Sequence, residues 1–269
     1  MSTDPSAPHG PDPADGTPSV SPRHPGRAAS ARHAPRTPVM WTLLGLTVAV
    51  FALQWLSRTD PQGITADLWY AGLYSSDLAP EPWRMLTYAF VHDDAGPTHL
   101  ALNMVALWML GRVLEPLLGW WRFLSLYLLS AVGGAVFALW TTHPLQPVVG
   151  ASGAIYGLFA ALFFLARSAG GQVRSIVVLI ALNLVFSLLI PGISWQVHVG
   201  GLLTGALVGA VLTAVGGRTR GRAGVVGAGS RVRAGAAAIH AVCLVAVLAL
   251  LVGLTAAGAE RVVPALMGG

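Results

Sequence analysis

The chain has 269 residues, of which 54% are hydrophobic and only 10% charged, with a formal net charge of +5. So few charges cannot clothe a water-soluble globule of this size, which excludes an ordinary soluble domain and points to one embedded in lipid. All 16 basic residues are arginine, scattered between apolar runs rather than gathered on one face, so the positive charge reads as orientation in a bilayer and not as a nucleic-acid surface.

In chain order, residues 1–37 are rich in Pro, Ala, Ser, Gly and Asp without apolar periodicity and are expected to form a disordered tail. The first apolar run, Val39 to Leu56, lies too far from the N-terminus and is too long for the core of a secretory signal. Six more runs follow, at about Leu100 to Leu118, Phe123 to Trp140, Ser152 to Ala166, Val173 to Ile190, Val197 to Val215 and Ala234 to Ala257. Each approaches the roughly 20 residues with which a helix crosses a bilayer core of about 30 Å. The expectation is an all-α, polytopic membrane bundle. It divides into the tail, a membrane core over 38–216, an Arg-rich loop over 217–233, and an additional membrane helix with a short end over 234–269.

The arginines give an orientation. With the tail in the cytoplasm, Arg23, Arg27, Arg32, Arg36, Arg112, Arg122, Arg167, Arg174, Arg218, Arg220, Arg222, Arg231 and Arg233 fall on that side, and only Arg58, Arg84 and Arg261 fall on the other. The N-terminus is therefore expected inside and the C-terminus outside. Arginine without lysine, with abundant Ala, Gly and Pro, points to a GC-rich bacterial genome and so to a bacterial cytoplasmic membrane. The long connection from Ser57 to Thr98 carries Trp69, Tyr70, Tyr74, Trp83 and Tyr88, as a segment lying at headgroup level would. No internal repeat of the kind that builds transporters is visible. The lone Cys243 excludes an intrachain disulfide and a Cys-rich metal site.

The fourth run is short. From Ser152 to Arg167 is about 24 Å of helix, less than the roughly 30 Å of hydrocarbon, so its first turn is expected below the outer surface, facing a wet cavity. The second, fourth and sixth runs all descend in the same direction. Their first turns bring His99 and Asn103, Ser152, and His198 to similar depth. Polar groups there are costly enough to read as functional. His99 and Asn103 are four apart and share a face, as do Ser152 and Tyr156. Gly153 and Gly157 on the fourth run, and Gly201, Gly205 and Gly209 on the sixth, let the two helices approach closely, which would put the Ser152 hydroxyl on the His198 imidazole.

A serine hydroxyl is a weak nucleophile until a base takes its proton, and a neutral histidine can do so. No Asp or Glu occurs from Pro116 to Ala259, so a third, acidic member would have to come from Asp93, Asp94 or elsewhere in the outer loop, and a Ser152–His198 dyad is the expectation. The Ser152 backbone N–H, the Asn103 amide and the His99 ring are the candidate oxyanion donors, each worth about 3 kcal/mol in the barrier by analogy with other acyl-transfer sites. The pattern is not the G-x-S-x-G elbow of soluble hydrolases, because Ala154 occupies the place of its second glycine and no strand precedes it.

Together these residues resemble the rhomboid family of intramembrane serine proteases. The resemblance covers about residues 39–215. It rests on Trp83-Arg84, His92, His99-Leu-Ala-Leu-Asn103, Glu115 with Gly119, Gly150-Ala-Ser152-Gly-Ala-Ile-Tyr156-Gly157, and His198 with Gly201 and Gly205. It implies a six-helix core with the seventh helix added, Ser152 as nucleophile, His198 as base, an oxyanion site at His99 and Asn103, Tyr156 against the His198 ring, and Gly150, Gly153 and Gly201 packing the site. It further implies transmembrane protein substrates, a bilayer as surroundings, and neither cofactor nor nucleic acid. Val197 stands where the family frequently has alanine.

Blander readings attach to the other polar groups. Ser125, Ser130, Ser175 and Ser187 are expected to bond their own helix backbones, His143 to be solvated, His240 to bond a neighbour, and Arg84 and Glu115 to bond backbone or helix termini. A metal on His92, His99 and His198 would lack a carboxylate or thiol ligand and leave Ser152 unexplained. A non-catalytic client-binding relative would generally lack the serine or the histidine, and a transporter would carry ionisable groups along a path through the membrane.

Overall fold

The computed structural model describes residues 37–60, 63–93, 96–222 and 229–268, with the side chains of 216–233 excepted. The tail over 1–36, its four arginines, Asp94 and the side chains of Arg218, Arg220, Arg222, Arg231 and Arg233 lie outside the described residues.

All seven apolar runs are helical. They form α1 (Pro38–Ser57), α4 (Thr98–Leu118), α5 (Trp120–Thr141), α6 (Ser152–Ser168), α7 (Arg174–Leu189), α8 (Trp195–Arg222) and α9 (Gly229–Ala259). Two short helices, α2 (Ile64–Leu68) and α3 (Arg84–Thr87), sit in the long connection, and α10 (Val262–Met267) follows α9. Five helical segments among the described residues are long and apolar enough to cross a membrane, while α6 and α7 are shorter. The protein is a multi-pass membrane protein. α8 and α9 extend into the stretch read as an Arg-rich loop, and α10 occupies what was read as a short external end.

α1 opens on Pro38, whose fixed φ suits the first helical position. Its free N–H groups find a partner from another helix: the buried Glu115 carboxylate accepts from Val39 N at 3.0 Å and Met40 N at 2.8 Å. This pins the start of α1 to the end of α4, where Gly119 (φ +82°) turns the chain into α5. Glu115→Ala is expected to lower the unfolding free energy in detergent by about 2 kcal/mol, the cost of orphaned buried donors, with Glu115→Gln recovering part of it. An unchanged thermal midpoint for the alanine variant would contradict the capping role.

The core is the seam of α5, α6 and α8, where small residues replace side-chain bulk. A Cβ on Gly201 would collide with the Gly153 carbonyl oxygen, one on Gly205 with the Gly157 backbone, and one on Gly200 with the Gly133 carbonyl oxygen. Gly133 faces Thr204, and Gly157 faces Ser130. Val197 Cγ1 fills the notch left by Gly134 and Gly153, so the branch that departs from the family's alanine goes into this seam. α7 is the loosest helix; its one buried residue is Ser187. α9 docks on α5 through Trp140 Nε1, which donates to Leu254 O at 3.0 Å, and through Arg122 Nε, which donates to His240 Nδ1 at 3.0 Å.

The long connection is a built structure. Arg84 pairs with Glu81, donates to the carbonyls of Ala66 (2.6 Å) and Trp69 (3.2 Å), and stacks over Tyr74. Gln54 clasps the backbone of His92 from α1, donating to its carbonyl at 2.9 Å and accepting from its N–H at 3.0 Å. Tyr70 and Val148 form an antiparallel bridge, and Gly150 N donates to Tyr88 O at 2.9 Å. The loop thereby fixes the chain that leads into α6.

Candidate active site

Ser152 begins α6, the residues before it held by the loop contacts just described. Gly150 has φ +114°, a conformation that disfavours any side chain, and a Cβ there would lie 3.0 Å from His99 Cε1. Glycine is thus required at this position twice over, by its backbone and by the imidazole laid across it.

The close α6–α8 seam brings the Ser152 hydroxyl to 2.7 Å from His198 Nε2. Tyr156, one turn below Ser152, stacks on the His198 ring with centroids 4.3 Å apart and planes 13° from parallel. The far nitrogen of the ring, Nδ1, lies 2.7 Å from the Ser187 hydroxyl of α7. That hydroxyl in turn donates to Asn183 O at 2.8 Å and is 3.4 Å from the Tyr156 hydroxyl. The His198 ring is therefore held on three sides, by the Ser152 hydroxyl, by the Tyr156 face and by a second serine, Ser187.

His99 and Asn103 line the same cavity as Ser152 and His198. Asn103 is buried and donates one N–H to the His99 carbonyl at 2.9 Å, leaving the other amide hydrogen available. His99 Nδ1 accepts from Asp93 N at 3.4 Å. His92 is fully buried, its ring edge-on to His99 at 5.1 Å, its Nε2 3.5 Å from Ala151 N and its Nδ1 without a partner. Burial, with the His99 ring adding to it, pushes His92 down to about 3, which keeps the imidazole neutral. Among the described residues no three His, Cys, Asp or Glu side chains converge as a metal site requires.

The cavity measures about 1620 Å³ and is lined by the loop residues Thr65 and Gln146, by Ser152 and His198, and by residues of α4 and α7. Of these, Leu102 and Met109 of α4 and Leu179 and Phe186 of α7 are exposed apolar side chains. The lining mixes polar groups, among them Ser152, His198, His99 and Asn103, with apolar side chains.

One expectation needs extending and one needs correction. Ser187 does bond its own helix, as read, but it also reaches the His198 ring, which was not foreseen. Ser130 was expected to bond its backbone, and its hydroxyl is instead buried without a partner, because Gly157 packs directly on it. The readings of Arg84, Glu115 and His240 as structural groups agree with their contacts, His240 bonding Arg122 and the Leu212 carbonyl, and His143 is exposed. A pair of polar residues four apart, Asn183 and Ser187, was the one signal on α7 that could have revealed the extra partner.

Comparison with known proteins agrees with this geometry. The family model for the Rhomboid domain matches residues 79–215. The chain is 37% identical over 137 residues to Rhomboid protease GluP of Bacillus subtilis, a match covering 49% of this chain and 26% of that protein. It is 29% identical over 198 residues to Rhomboid protease AarA of Providencia stuartii, covering 62% of this chain and 69% of the relative. It is 37% identical over 178 residues to the putative rhomboid protease YdcA of Bacillus subtilis, covering 63% and 87%. The chain thus spans from about a quarter to most of the length of the curated relatives it matches. With half of its residues inside the family's domain, this chain belongs to the rhomboid family.

Proposed function

We propose that the protein is an intramembrane serine endopeptidase that cleaves transmembrane segments of other membrane proteins near the outer face, with Ser152 as nucleophile and His198 as base. The observation that carries this reading is the 2.7 Å contact between Ser152 Oγ and His198 Nε2, two residues that line one large cavity. Helices α1 and α4 to α8 form the catalytic bundle and α9 is an addition to it. The tail and α1's N-terminus lie in the cytoplasm, as the arginine distribution argues, in a bacterial cytoplasmic membrane.

Ser152 Oγ attacks the scissile carbonyl carbon while its proton passes to His198 Nε2. The carbonyl oxygen becomes an oxyanion, met by the Ser152 N–H at the start of α6, the Asn103 amide and the His99 ring. Collapse breaks the C–N bond, and the Nε2 proton goes to the departing amine. Water in the cavity then attacks the ester, giving its proton to Nε2, and Ser152 recovers that proton as the acid product leaves. Every proton is supplied by substrate, serine or water, and the cycle returns Ser152 and His198 to their starting protonation states.

An amide inside an intact helix is shielded, so a substrate segment must unwind to reach Ser152. Segments with Gly, Pro or other small residues near the cut are the preferred class. The test is cleavage of a panel of single-span model proteins in proteoliposomes, with cut sites mapped by mass spectrometry. Cuts inside the span, near its outer end and enhanced by Gly or Pro, are the expected result. Cleavage restricted to soluble loops would contradict it.

A further inference from the structure

We propose that Ser187 is a positioning residue for the base: its hydroxyl accepts a hydrogen bond from His198 Nδ1–H and so fixes the imidazole in the tautomer that presents a lone pair to Ser152. The inference rests on the proteolytic reading and adds to it a third member supplied by α7. The Ser187 hydroxyl lies 2.8 Å from the Asn183 carbonyl, which can only accept, and on this proposal its single proton goes there. What faces His198 Nδ1 at 2.7 Å is then a lone pair, and Nδ1 must carry the hydrogen. A neutral imidazole has one N–H, so Nε2 is left bare, 2.7 Å from the Ser152 hydroxyl whose proton it takes. The same lone pair stabilises the imidazolium formed in the next instant. The Tyr156 ring stacked on His198, with its hydroxyl 3.4 Å from Ser187, adds a second contact that holds the plane of the imidazole.

Ser187 is buried to 4% exposure on a helix whose other residues are all more open, so a hydroxyl here departs from the lipid-facing composition around it. A merely structural anchor would have its hydrogen bond satisfied by Asn183 alone. The contact with Nδ1 is the additional feature.

The experiment uses the full chain in lipid, with Ser187→Ala, Ser187→Thr and Ser152→Ala compared for kcat, KM, thermal midpoint and the ¹⁵N shifts of the His198 ring. Ser187→Ala is expected to lower kcat roughly 10- to 100-fold, the rate equivalent of one hydrogen bond to a charged group, with KM little changed. Its His198 should show mixed tautomers where the parent shows only Nδ1–H, and Ser187→Thr should restore both readings. Parental kcat with the Nδ1–H tautomer intact in Ser187→Ala would overturn the proposal. So would a lowered thermal midpoint with the tautomer unchanged, which would make Ser187 a helix anchor only. Turnover by Ser152→Ala would instead remove the protease reading, and the ring shifts would still decide the role of Ser187.

Discussion

Ser152→Ala is expected to reduce kcat by roughly 10⁴- to 10⁶-fold while leaving the protein folded and inserted, because removing a nucleophile eliminates the covalent route and not just one stabilising contact. The hydroxyl it deletes lies at the cavity wall and carries no part of the helix seam, which is built from Gly153, Gly157 and their counterparts on α8. His198→Ala should cost nearly as much, and the double variant little more than either alone, since the two groups act as one unit. Additive losses in the double variant would mean that the two side chains work independently. Turnover and near-parental melting, measured together in detergent or lipid, check both statements.

Gly201→Leu is expected to have the largest effect on the fold. Even a single Cβ at this position meets the Gly153 carbonyl oxygen, which is backbone and cannot rotate aside, so α6 and α8 must separate. Overpacking of this kind costs about 3 kcal/mol or more where helices depend on close approach. The same separation acts on the chemistry, because Gly153 follows Ser152 and Gly201 lies one turn below His198. A displacement of about 1 Å would stretch the 2.7 Å contact between nucleophile and base beyond hydrogen-bond range, and misplacement of that size costs on the order of 100-fold in rate. Gly201→Ala should show the rate defect with a milder stability loss. Gly45→Ala is the control, since nothing lies within 4 Å of its added carbon, and it should melt no lower than the parent. Parental activity in Gly201→Ala would contradict the claim that glycine at the seam sets the dyad's distance.

Much of this was readable from the chain because the membrane imposes strong rules. A helix that spans lipid must be apolar, so the seven runs stand out; α1 and α4 to α7 begin and end within a few residues of the expected bounds, while α8 and α9 run on into the Arg-rich stretch. The glycine steps named the pair of helices that touch, and the contact of Ser152 with His198 follows from them. What the sequence did not disclose are contacts made by single polar groups across large separations. Glu115 capping α1 from 75 residues away, Gln54 clasping His92, and Ser187 reaching the base depend on helix rotation, which an even apolar composition leaves unmarked. α7 is the extreme case: it is hydrophobic all round, and no periodicity singled out the face carrying Ser187. The orphaned hydroxyl of Ser130 has the same origin, since the approach of Gly157 that blocks it is a property of the packed helices and not of either segment alone.

The most direct test of a serine activated by this histidine is covalent labelling of the lipid-embedded protein with a fluorophosphonate, the adduct located by mass spectrometry. The account predicts a single modified residue, Ser152, at a rate that collapses in His198→Ala while the variant stays folded. Labelling at another serine, or labelling of Ser152 that is indifferent to the loss of the imidazole, would contradict it.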